Sequence, residues 1–369
     1  MKIIHIIPNL KRGGAERICI DICNELQRQG HDVLLILFSP ENEYSEITNQ
    51  LNIKVIPSSF TPSILKSNLV EIKELEKAVA DFKPDVIHSH LYEADLVAYQ
   101  LKAKNIKFFS HIHSNRKELV NNPQVQNIKQ KVIFSFEKRM YLNLLKKKNV
   151  HLIAISKDCH EFVLNDLARK QESVTFLANC INFNLFKSNP KKINTDLPVR
   201  LIAVGRFTAN KAQEFLVQVA KHLKGQKINF ELSFLGDGAE LNKVKELAKA
   251  NSLNEITFLN LVNNPEEELK KAHIFVHSAR KEAFGLSLIE AMAAGLPVIT
   301  TDGGGNRDIM TDNDNGFMIK SRDAELFANQ VIQLINSPSD YERISENCVK
   351  YAAQYDVNNY VKTLLGLYQ

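Results

Sequence analysis

Residues 282–301 read EAFGLSLIEAMAAGLPVITT and place a glycine turn, a short helix and an apolar strand in direct succession. The middle of this stretch is rich in good helix formers. Gly295 and Pro297 end the helix, and the apolar residues after Pro297 predict a strand. A loop, a helix and a strand in this order are typical of an α/β layer.

The same stretch carries groups suited to a phosphorylated, hydroxyl-rich ligand. The first amides of a helix lack internal partners and lie at the positive end of its dipole, so the backbone N–H groups of Gly285, Leu286 and Ser287 are candidates for holding an anion. Glu282 and Glu290 flank the entry of the helix and offer carboxylates to hydroxyl groups.

Upstream, a second loop adds two cations. An apolar strand from Val199 to Val204 leads into Gly205 and Arg206, and Lys211 precedes a helix expected to begin near Ala212. A guanidinium fork and a lysine point charge at the carboxyl end of a strand suit a diphosphate.

The start of the chain predicts a βαβ unit. A buried strand ends near Pro8, a helix runs to about Gln29, and a second strand begins at Val33. Gly13 and Gly14, in the first strand-to-helix loop, either let a backbone approach a ligand or form a plain tight turn. They do not complete the glycine fingerprint of a dinucleotide site.

Histidines cluster at the predicted ends of two strands. A strand is expected from Val86 to His88, and a helix is expected to open at His88, Ser89 and His90. His111 and His113 close a later strand. Two histidines at i and i+2 point to one face only while the strand is regular. Nothing nearby completes a set with metal-like spacing. Metal ligation, a polar contact with a substrate and structural hydrogen bonding remain the alternatives.

Strands alternate with helices throughout, and a polar, proline-bounded stretch interrupts the pattern once. The sequence therefore predicts an α/β protein with two doubly wound domains. The expected boundaries are a first domain at 1–188, a linker at 189–198, a second domain at 199–352, and a C-terminal helix at 353–369 that packs back on the first domain.

Composition narrows the class of protein. At 369 residues with 44% hydrophobic content the chain can bury a large core. No apolar run is long enough for a transmembrane helix, and the N-terminus does not fit a signal peptide. The net charge of +5 permits an acidic partner without requiring nucleic acid. Scattered cysteines, odd in number, indicate a reducing compartment: Cys19, Cys23, Cys159, Cys180 and Cys348.

Residues 138–148 mix apolar and basic side chains at helical spacing. Such a helix rests on an anionic membrane surface in some proteins, and in others it is an ordinary amphipathic surface helix.

The chain resembles the retaining family 4 glycosyltransferases of the GT-B fold over essentially its whole length. The motifs that carry the resemblance stand in the family's order: the early Gly13-Gly14-Ala15-Glu16-Arg17, then Gly205-Arg206-x4-Lys211, then Glu282-x7-Glu290 with its glycine turn, and finally Gly295-Leu296-Pro297-Val298. The resemblance implies two Rossmann-like domains that face each other across a cleft. The second domain would bind a nucleotide-diphosphate sugar, most commonly a UDP-sugar.

The resemblance also assigns roles. Arg206 and Lys211 would hold the diphosphate, with the amides of Gly285, Leu286 and Ser287 in support. Glu290 would accept from the ribose hydroxyls, and Glu282 would contact hydroxyls of the transferred sugar. Gly13 and Gly14 would approach the donor phosphates and the acceptor. His113 would lie near the anomeric centre, with His111 as the alternative.

No metal or other cofactor is expected, since fixed cations replace one. The acceptor would be a lipid-linked, polysaccharide or lipopolysaccharide glycan, and the enzyme would be cytoplasmic, with peripheral contact to the inner face of the membrane. Four positions depart from the family's pattern: Ala283, His277, Cys180 and Asn182. Two alternatives therefore stay open, namely a transferase for a small soluble acceptor and a catalytically silent nucleotide-sugar-binding partner subunit.

Overall fold

A computed structural model describes residues 1–61, 69–103, 105–114, 127–194 and 196–369. Within these residues the chain forms two compact units. One unit consists of Met1–Asn179 together with Val357–Gln369, and the other of Cys180–Asp356. Each is built on its own parallel sheet, which agrees with the predicted fold class.

The first unit contains a seven-stranded parallel sheet. Its central strands are buried almost throughout, because helices cover both faces of a parallel sheet. The strands of this unit are β1 (Lys2–Ile7), β2 (Asp32–Leu37), β3 (Asn52–Val55), β4 (Ser59–Thr61), β5 (Leu69–Glu71), β6 (Val86–His90), β7 (Lys107–Ile112), β8 (His151–Ala154) and β9 (Val174–Phe176).

The sheet has the order β3-β2-β1-β6-β7-β8-β9, while β4 and β5 form a separate antiparallel pair. β1 therefore lies between β2 and β6, where the chain changes direction across the sheet. The connecting helices are α1 (Gly14–Arg28), α2 (Ser45–Thr48), α3 (Lys73–Phe82), α4 (Tyr92–Ala98), α5 (Ile128–Lys148) and α6 (Lys157–Glu161), with a π-helical turn at Phe162–Asp166 and a 3-10 turn at Gln171–Ser173.

The second unit has a six-stranded parallel sheet. Its strands are β10 (Val199–Val204), β11 (Phe230–Leu235), β12 (Ile256–Asn260), β13 (Ile274–His277), β14 (Val298–Thr301) and β15 (Gly316–Ile319). Their order is β12-β11-β10-β13-β14-β15. The helices are α7 (Phe183–Phe186), α8 (Glu214–Gly225), α9 (Leu241–Ala250), α10 (Pro265–Lys271), α11 (Leu286–Ala293), α12 (Ala324–Ile335) and α13 (Pro338–Ala352), with 3-10 turns at Gly305–Asp308 and Ala353–Tyr355.

The last helix, α14 (Val357–Tyr368), belongs to the first unit. It packs against α1, where Arg28 donates a hydrogen bond to Asn358. Tyr360, Leu364 and Tyr368 are buried along its inner side. Residues 353–356, which were expected to belong to this terminal segment, lie in the second unit.

The second unit begins earlier than the predicted linker. It starts at Cys180, and the backbone N–H of Ser188 donates to the carbonyl of Ala293 at 3.1 Å. The N–H of Lys191 donates to Ser345 Oγ at 2.8 Å. The stretch at 189–198 is therefore attached to the second unit through Lys191, whose ammonium also donates to the Ala272 carbonyl at 2.9 Å.

Helix α8 begins at Glu214, two residues beyond Ala212, since Ala212 has a φ of 51°, which lies in the left-handed region. One local prediction was wrong. Strand β6 continues through His90, so no helix opens at His88. Because β6 is regular, His88 and His90 point to the same face of the sheet.

Candidate active site

The predicted donor residues of the second unit gather at the carboxyl edge of its sheet. β10 has β11 on one side and β13 on the other, so the chain reverses its winding between β10 and β13. Open parallel sheets bind ligands at such a switch point, outside the carboxyl ends of the strands. The loop after β10 carries Arg206 and Lys211, and the loop after β13 carries Glu282.

The loop after β10 is held close to the loop after β11. A Cβ on Gly236 would lie 2.2 Å from the carbonyl oxygen of Gly205, so only glycine fits there. The side chain of Gln213 is buried and its amide donates to the carbonyl of Arg206 at 3.1 Å. These contacts fix the backbone at Arg206, whose side chain is exposed.

Lys211 and Glu282 form an ion pair between the Nζ and Oε2 atoms. The Lys211 side chain is 24% exposed and that of Glu282 is 12% exposed, so the pair lies mostly within the protein. Two further bonds join the same loops: Ser278 Oγ donates to the Lys211 carbonyl at 2.9 Å, and Arg280 N–H donates to the Asn210 carbonyl at 2.7 Å. These bonds hold together the two loops that carry the ion pair.

His277 is the third member of this cluster. Its Nε2 lies 3.3 Å from Glu282 Oε2, and its Nδ1 lies 2.8 Å from Thr300 Oγ1. Burial lowers the pKa of the His277 ring, so the ring is neutral near pH 7. The ring lies against the carboxylate through Nε2, in a close contact without hydrogen-bond geometry.

The environment keeps Glu282 ionised. Burial acts to raise the pKa of the Glu282 carboxyl, but the Lys211 ammonium and the His277 ring hold that pKa well below its usual range. An ammonium has three donors, so Lys211 can bind Glu282 and still donate to a phosphate oxygen. The cluster thus offers fixed positive charge beside a carboxylate that accepts from hydroxyls.

A run of three glycines fixes the backbone of Glu282. Its N–H donates to the Gly303 carbonyl at 2.7 Å, and its own carbonyl accepts from the Gly305 N–H at 2.9 Å. A Cβ on Gly305 would lie 2.2 Å from the carbonyl oxygen of Ala283, which rules out any other residue without a shift of this loop. Glu282 thus lies in the loop that precedes α11.

Helix α11 begins next to Glu282. Its N-cap is Gly285, with a φ of 104°, which favours glycine. Leu286 and Ser287 form the start of the helix, and Glu290 lies half-buried one turn further along. A Cβ on Gly285 would lie 3.6 Å from Glu282 Cγ, so the first amides of α11 and the Lys211–Glu282 pair are neighbours.

The remaining predicted residues lie in the first unit. Gly13 is the N-cap of α1 and its φ of −169° is extended, a conformation open to any residue. A Cβ there would meet only the mobile end of Glu16. The Tyr44 hydroxyl accepts from the Gly13 N–H and donates to its carbonyl, both at 3.1 Å. Gly14 is exposed and opens α1.

His113 and His111 differ in exposure. His113 follows the end of β7 and is half-buried, whereas His111 lies on the strand and is fully buried. His111 Nε2 lies 3.2 Å from the Tyr360 hydroxyl of α14, and burial lowers the pKa of its ring to about 3. Of the two, His113 is the one with an accessible surface.

Histidine and cysteine side chains also come together in the first unit. Among the residues that the structure describes, three groups have possible ligand atoms within 4.8 Å of one another: His5 with Cys19 and Cys23, His5 with His88 and His90, and His90 with His111 and His113. Both ring nitrogens of His90 already face other imidazoles, at 2.9 Å and 3.0 Å. His90 can therefore ligate a metal only if those contacts break.

The structure thus brings Lys211, Glu282 and the start of α11 together and places Arg206 on the same edge of the sheet. Sequence reasoning missed His277 as a site residue. The available signal was its position as the last residue of a buried strand next to the β10 loop, where a polar side chain calls for a partner.

Helix α5 contains the basic stretch predicted to be amphipathic. Its first part exposes apolar side chains, with Ile128 81% and Val132 54% exposed. Arg139 is exposed further along, whereas Lys148 donates to the Leu101 carbonyl and lies 5.1 Å from the Phe108 ring. Among the described helices, none is both long and apolar enough to cross a membrane.

Comparison with known families matches both units. A model for glycosyltransferase family 4 matches residues 12–185, and a model for group 1 glycosyl transferases matches residues 186–351. The fold and the two matches define a GT-B glycosyltransferase. The chain belongs to the group 1, family 4 glycosyltransferases, and it is an enzyme of the transferase class.

Individual relatives agree with this assignment. The uncharacterized glycosyltransferase MJ1607 of Methanocaldococcus jannaschii is 26% identical over 375 residues, covering 97% of this chain and 94% of its own length. The capsular polysaccharide biosynthesis glycosyltransferase CapM of Staphylococcus aureus is 29% identical over 218 residues, which cover 53% of this chain and 55% of the length of CapM. The structure of Anabaena Alr3699/HepE in complex with UDP-glucose has a TM-score of 0.77 at 20% identity and covers 100% of both chains.

Proposed function

We propose that the protein transfers a sugar from a UDP-sugar to a hydroxyl of a cell-surface glycan or its lipid-linked precursor, with retention of the anomeric configuration. The observation that carries the proposal is the Lys211–Glu282 pair beside the first amides of α11 at the switch point of the second sheet. The UDP-glucose complex of a protein with this fold supports the choice of donor.

In this proposal the donor is held by its charge and its hydroxyls. Arg206 and Lys211 bind the diphosphate, supported by the amides of Gly285 to Ser287. Glu282 accepts from hydroxyls of the transferred sugar, and Glu290 accepts from the ribose. Fixed cations and the first amides of a helix both donate hydrogen bonds to phosphate oxygens, so together they suit a nucleotide diphosphate.

The chemistry is bond exchange on one face of the sugar. The bond from the anomeric carbon to the β-phosphate oxygen breaks, and the acceptor oxygen attacks from the same side. Its proton passes to the departing phosphate. Because negative charge grows on that phosphate, Arg206, Lys211 and the amides stabilise the transition state more than the ground state. These groups supply the stabilisation without a metal ion.

On the acceptor side we assign Gly13, Gly14 and His113 of the first unit. His113 is the partly exposed histidine at the end of β7, and we assign it a contact with an oxygen of the ligand. The named role of CapM in capsular polysaccharide biosynthesis supports a surface glycan as acceptor.

A thermal-shift screen tests the donor. Ligand that binds only the folded state stabilises it by about 2.7 kcal/mol at a concentration one hundred times its Kd. We expect UDP-sugars to raise the melting temperature more than GDP-, ADP- or CMP-sugars. A larger shift with another base would overturn the choice of UDP while leaving the diphosphate site intact.

Turnover of the preferred donor separates the remaining alternatives. We expect UDP release by the wild type and a product with the donor's anomeric configuration, read by proton NMR of the newly formed sugar. Donor binding without release in the presence of membrane and soluble acceptors would favour the silent partner subunit. Transfer to a soluble acceptor alone would favour the small-acceptor transferase.

We further propose that α5 rests on the anionic inner face of the cytoplasmic membrane. Ile128 and Val132 would enter the interface while exposed cations such as Arg139 meet anionic headgroups. Sedimentation with anionic liposomes at low salt tests this. We expect Val132→Ser to weaken retention and Leu326→Ser, which removes an equally exposed apolar side chain from α12, to leave it unchanged. No retention of the wild type would remove the membrane contact.

A further inference from the structure

The first unit contains a chain of three imidazoles that the donor site does not use. His5 Nδ1 lies 2.9 Å from His90 Nε2, and His90 Nδ1 lies 3.0 Å from His113 Nε2. His5 is on β1, His90 is at the end of β6 and His113 follows β7. The chain thus runs from within β1 to the carboxyl end of β7.

The rings of this chain meet edge to edge. The centroids of His5 and His90 are 5.2 Å apart and those of His90 and His113 are 5.3 Å apart, with planes inclined by 27° and 28°. Each separation exceeds the N···N distance by about the width of one imidazole ring. The nitrogens therefore lie on the line between the rings, as an in-plane hydrogen bond requires.

A chain of neutral imidazoles has a direction, because each ring donates from one nitrogen and accepts on the other. Burial lowers the pKa of His5 to about 3 and that of His90 well below its usual value, so both rings are neutral near pH 7. Only two arrangements satisfy both bonds. The protons all point toward His113, or they all point toward His5.

The inner end of the chain decides between them. His5 is fully buried, and its Nε2 has no hydrogen-bond partner within the described residues. If the protons pointed toward His5, that nitrogen would carry an N–H with no acceptor, and buried orphan N–H groups are rare. If they point toward His113, the same nitrogen carries a lone pair and no proton, so it needs no acceptor.

We propose that His90 is a positioning residue that fixes His113 as the tautomer with its proton on Nδ1. In this arrangement His90 Nδ1–H donates to His113 Nε2 and the His113 proton lies on Nδ1, so a substrate oxygen that contacts His113 through this nitrogen meets a donor. The catalytic consequence rests on the proposed function, whereas the tautomer itself does not.

His88 provides a matched control. It lies on the same strand as His90, is equally buried, and stacks on the His90 ring with centroids 4.6 Å apart and planes inclined by 14°. Its Nδ1 instead lies 2.5 Å from the Tyr368 hydroxyl. His88→Phe therefore removes a buried imidazole from the layer without breaking the chain.

Nitrogen-15 NMR of histidine-labelled protein tests the tautomer in the wild type, since protonated and bare ring nitrogens resonate far apart. The signals of His113 are assigned from their loss in His113→Gln. We expect a protonated Nδ1 and a bare Nε2 at neutral pH. We expect His90→Phe to shift His113 toward the Nε2-protonated form that free histidine prefers, and His88→Phe to leave it unchanged. A protonated Nε2 in the wild type overturns the proposal, as does an unchanged tautomer in folded His90→Phe.

Kinetics then test the consequence. We expect kcat for UDP release to fall about 10–100-fold in His90→Phe relative to His88→Phe, the range seen when a partner that orients a functional histidine is removed, with KM for the donor little changed. Equal kcat in the two variants contradicts the positioning role. If the tautomer is as expected but no nucleotide sugar is turned over by the wild type, it is the proposed function that fails.

Discussion

Replacement of Glu282 by glutamine removes one charge from the Lys211–Glu282 pair while keeping its shape. Glu282 is 12% exposed and Lys211 is 24% exposed, so the ammonium is left beside a neutral amide in a mostly buried place. A hydrogen bond to a charged group contributes about 1.5–3 kcal/mol. In a unit of this size each kcal/mol lowers the melting temperature by about 2–4 °C.

The effect on catalysis is expected to be larger than the effect on donor binding. Without Glu282 the Lys211 ammonium loses the partner that fixes its position, and loss of one preorganised donor lowers kcat by about 10²–10³-fold. We expect UDP release by Glu282→Gln to fall by this factor, while the Kd for the UDP-sugar changes about threefold or less.

The control is Glu255→Gln, which breaks an ion pair with Lys224 at 3.0 Å near the opposite, amino end of β12. This pair is more exposed, and we expect a change in stability of about 1 kcal/mol or less and no change in kcat. The reasoning is refuted if Glu282→Gln turns over donor at the wild-type rate, or if it loses donor affinity and kcat in equal measure.

Three further predictions concern the same loops. His277→Phe keeps the ring but removes the contact with Glu282, and we expect kcat to fall about tenfold with donor affinity nearly unchanged; a wild-type kcat would show that the histidine only fills space. Gly305→Ala forces a Cβ to within 2.2 Å of the Ala283 carbonyl oxygen. We expect the free energy of unfolding, measured by denaturant titration, to fall by about 1–3 kcal/mol, together with weaker donor binding. Unchanged stability would contradict this packing. The pKa of Glu282 is lowered in the folded state, so the carboxylate's contribution to stability is present above about pH 4.3 and is lost as the pH falls below that value. The stability difference between the wild type and Glu282→Gln should therefore shrink from pH 7 to pH 3. A constant difference would contradict the assignment.

The fold was predictable because its signals are local. Apolar runs such as β10, and glycine or proline after a helix, as at Gly295 and Pro297, mark the elements of a parallel sheet. The start of α8 was predictable to within two residues, but the left-handed conformation of Ala212 was not, since it has no sequence signature. The alternation of His88 and His90 predicts a shared face only once β6 is known to be regular.

The charged residues of the candidate site could be singled out from the sequence, whereas the contacts that hold them in place could not. Arg206, Lys211 and Glu282 stood out because charge at a strand end calls for a ligand or a partner. The role of His277 depends on Gly303 and Gly305, whose backbone holds Glu282 within reach of the ring. Such contacts depend on tertiary packing and cannot be derived from spacing along the chain.

The central claim is that the edge of the second sheet binds the diphosphate of the donor. Isothermal titration of UDP and of uridine into the wild type and into Lys211→Met tests it most directly. We predict that UDP binds the wild type at least about tenfold more tightly than uridine, a difference of about 1.4 kcal/mol, and that Lys211→Met removes most of that advantage. Equal affinity for UDP and uridine in the wild type, or an unchanged advantage in Lys211→Met, would contradict the claim.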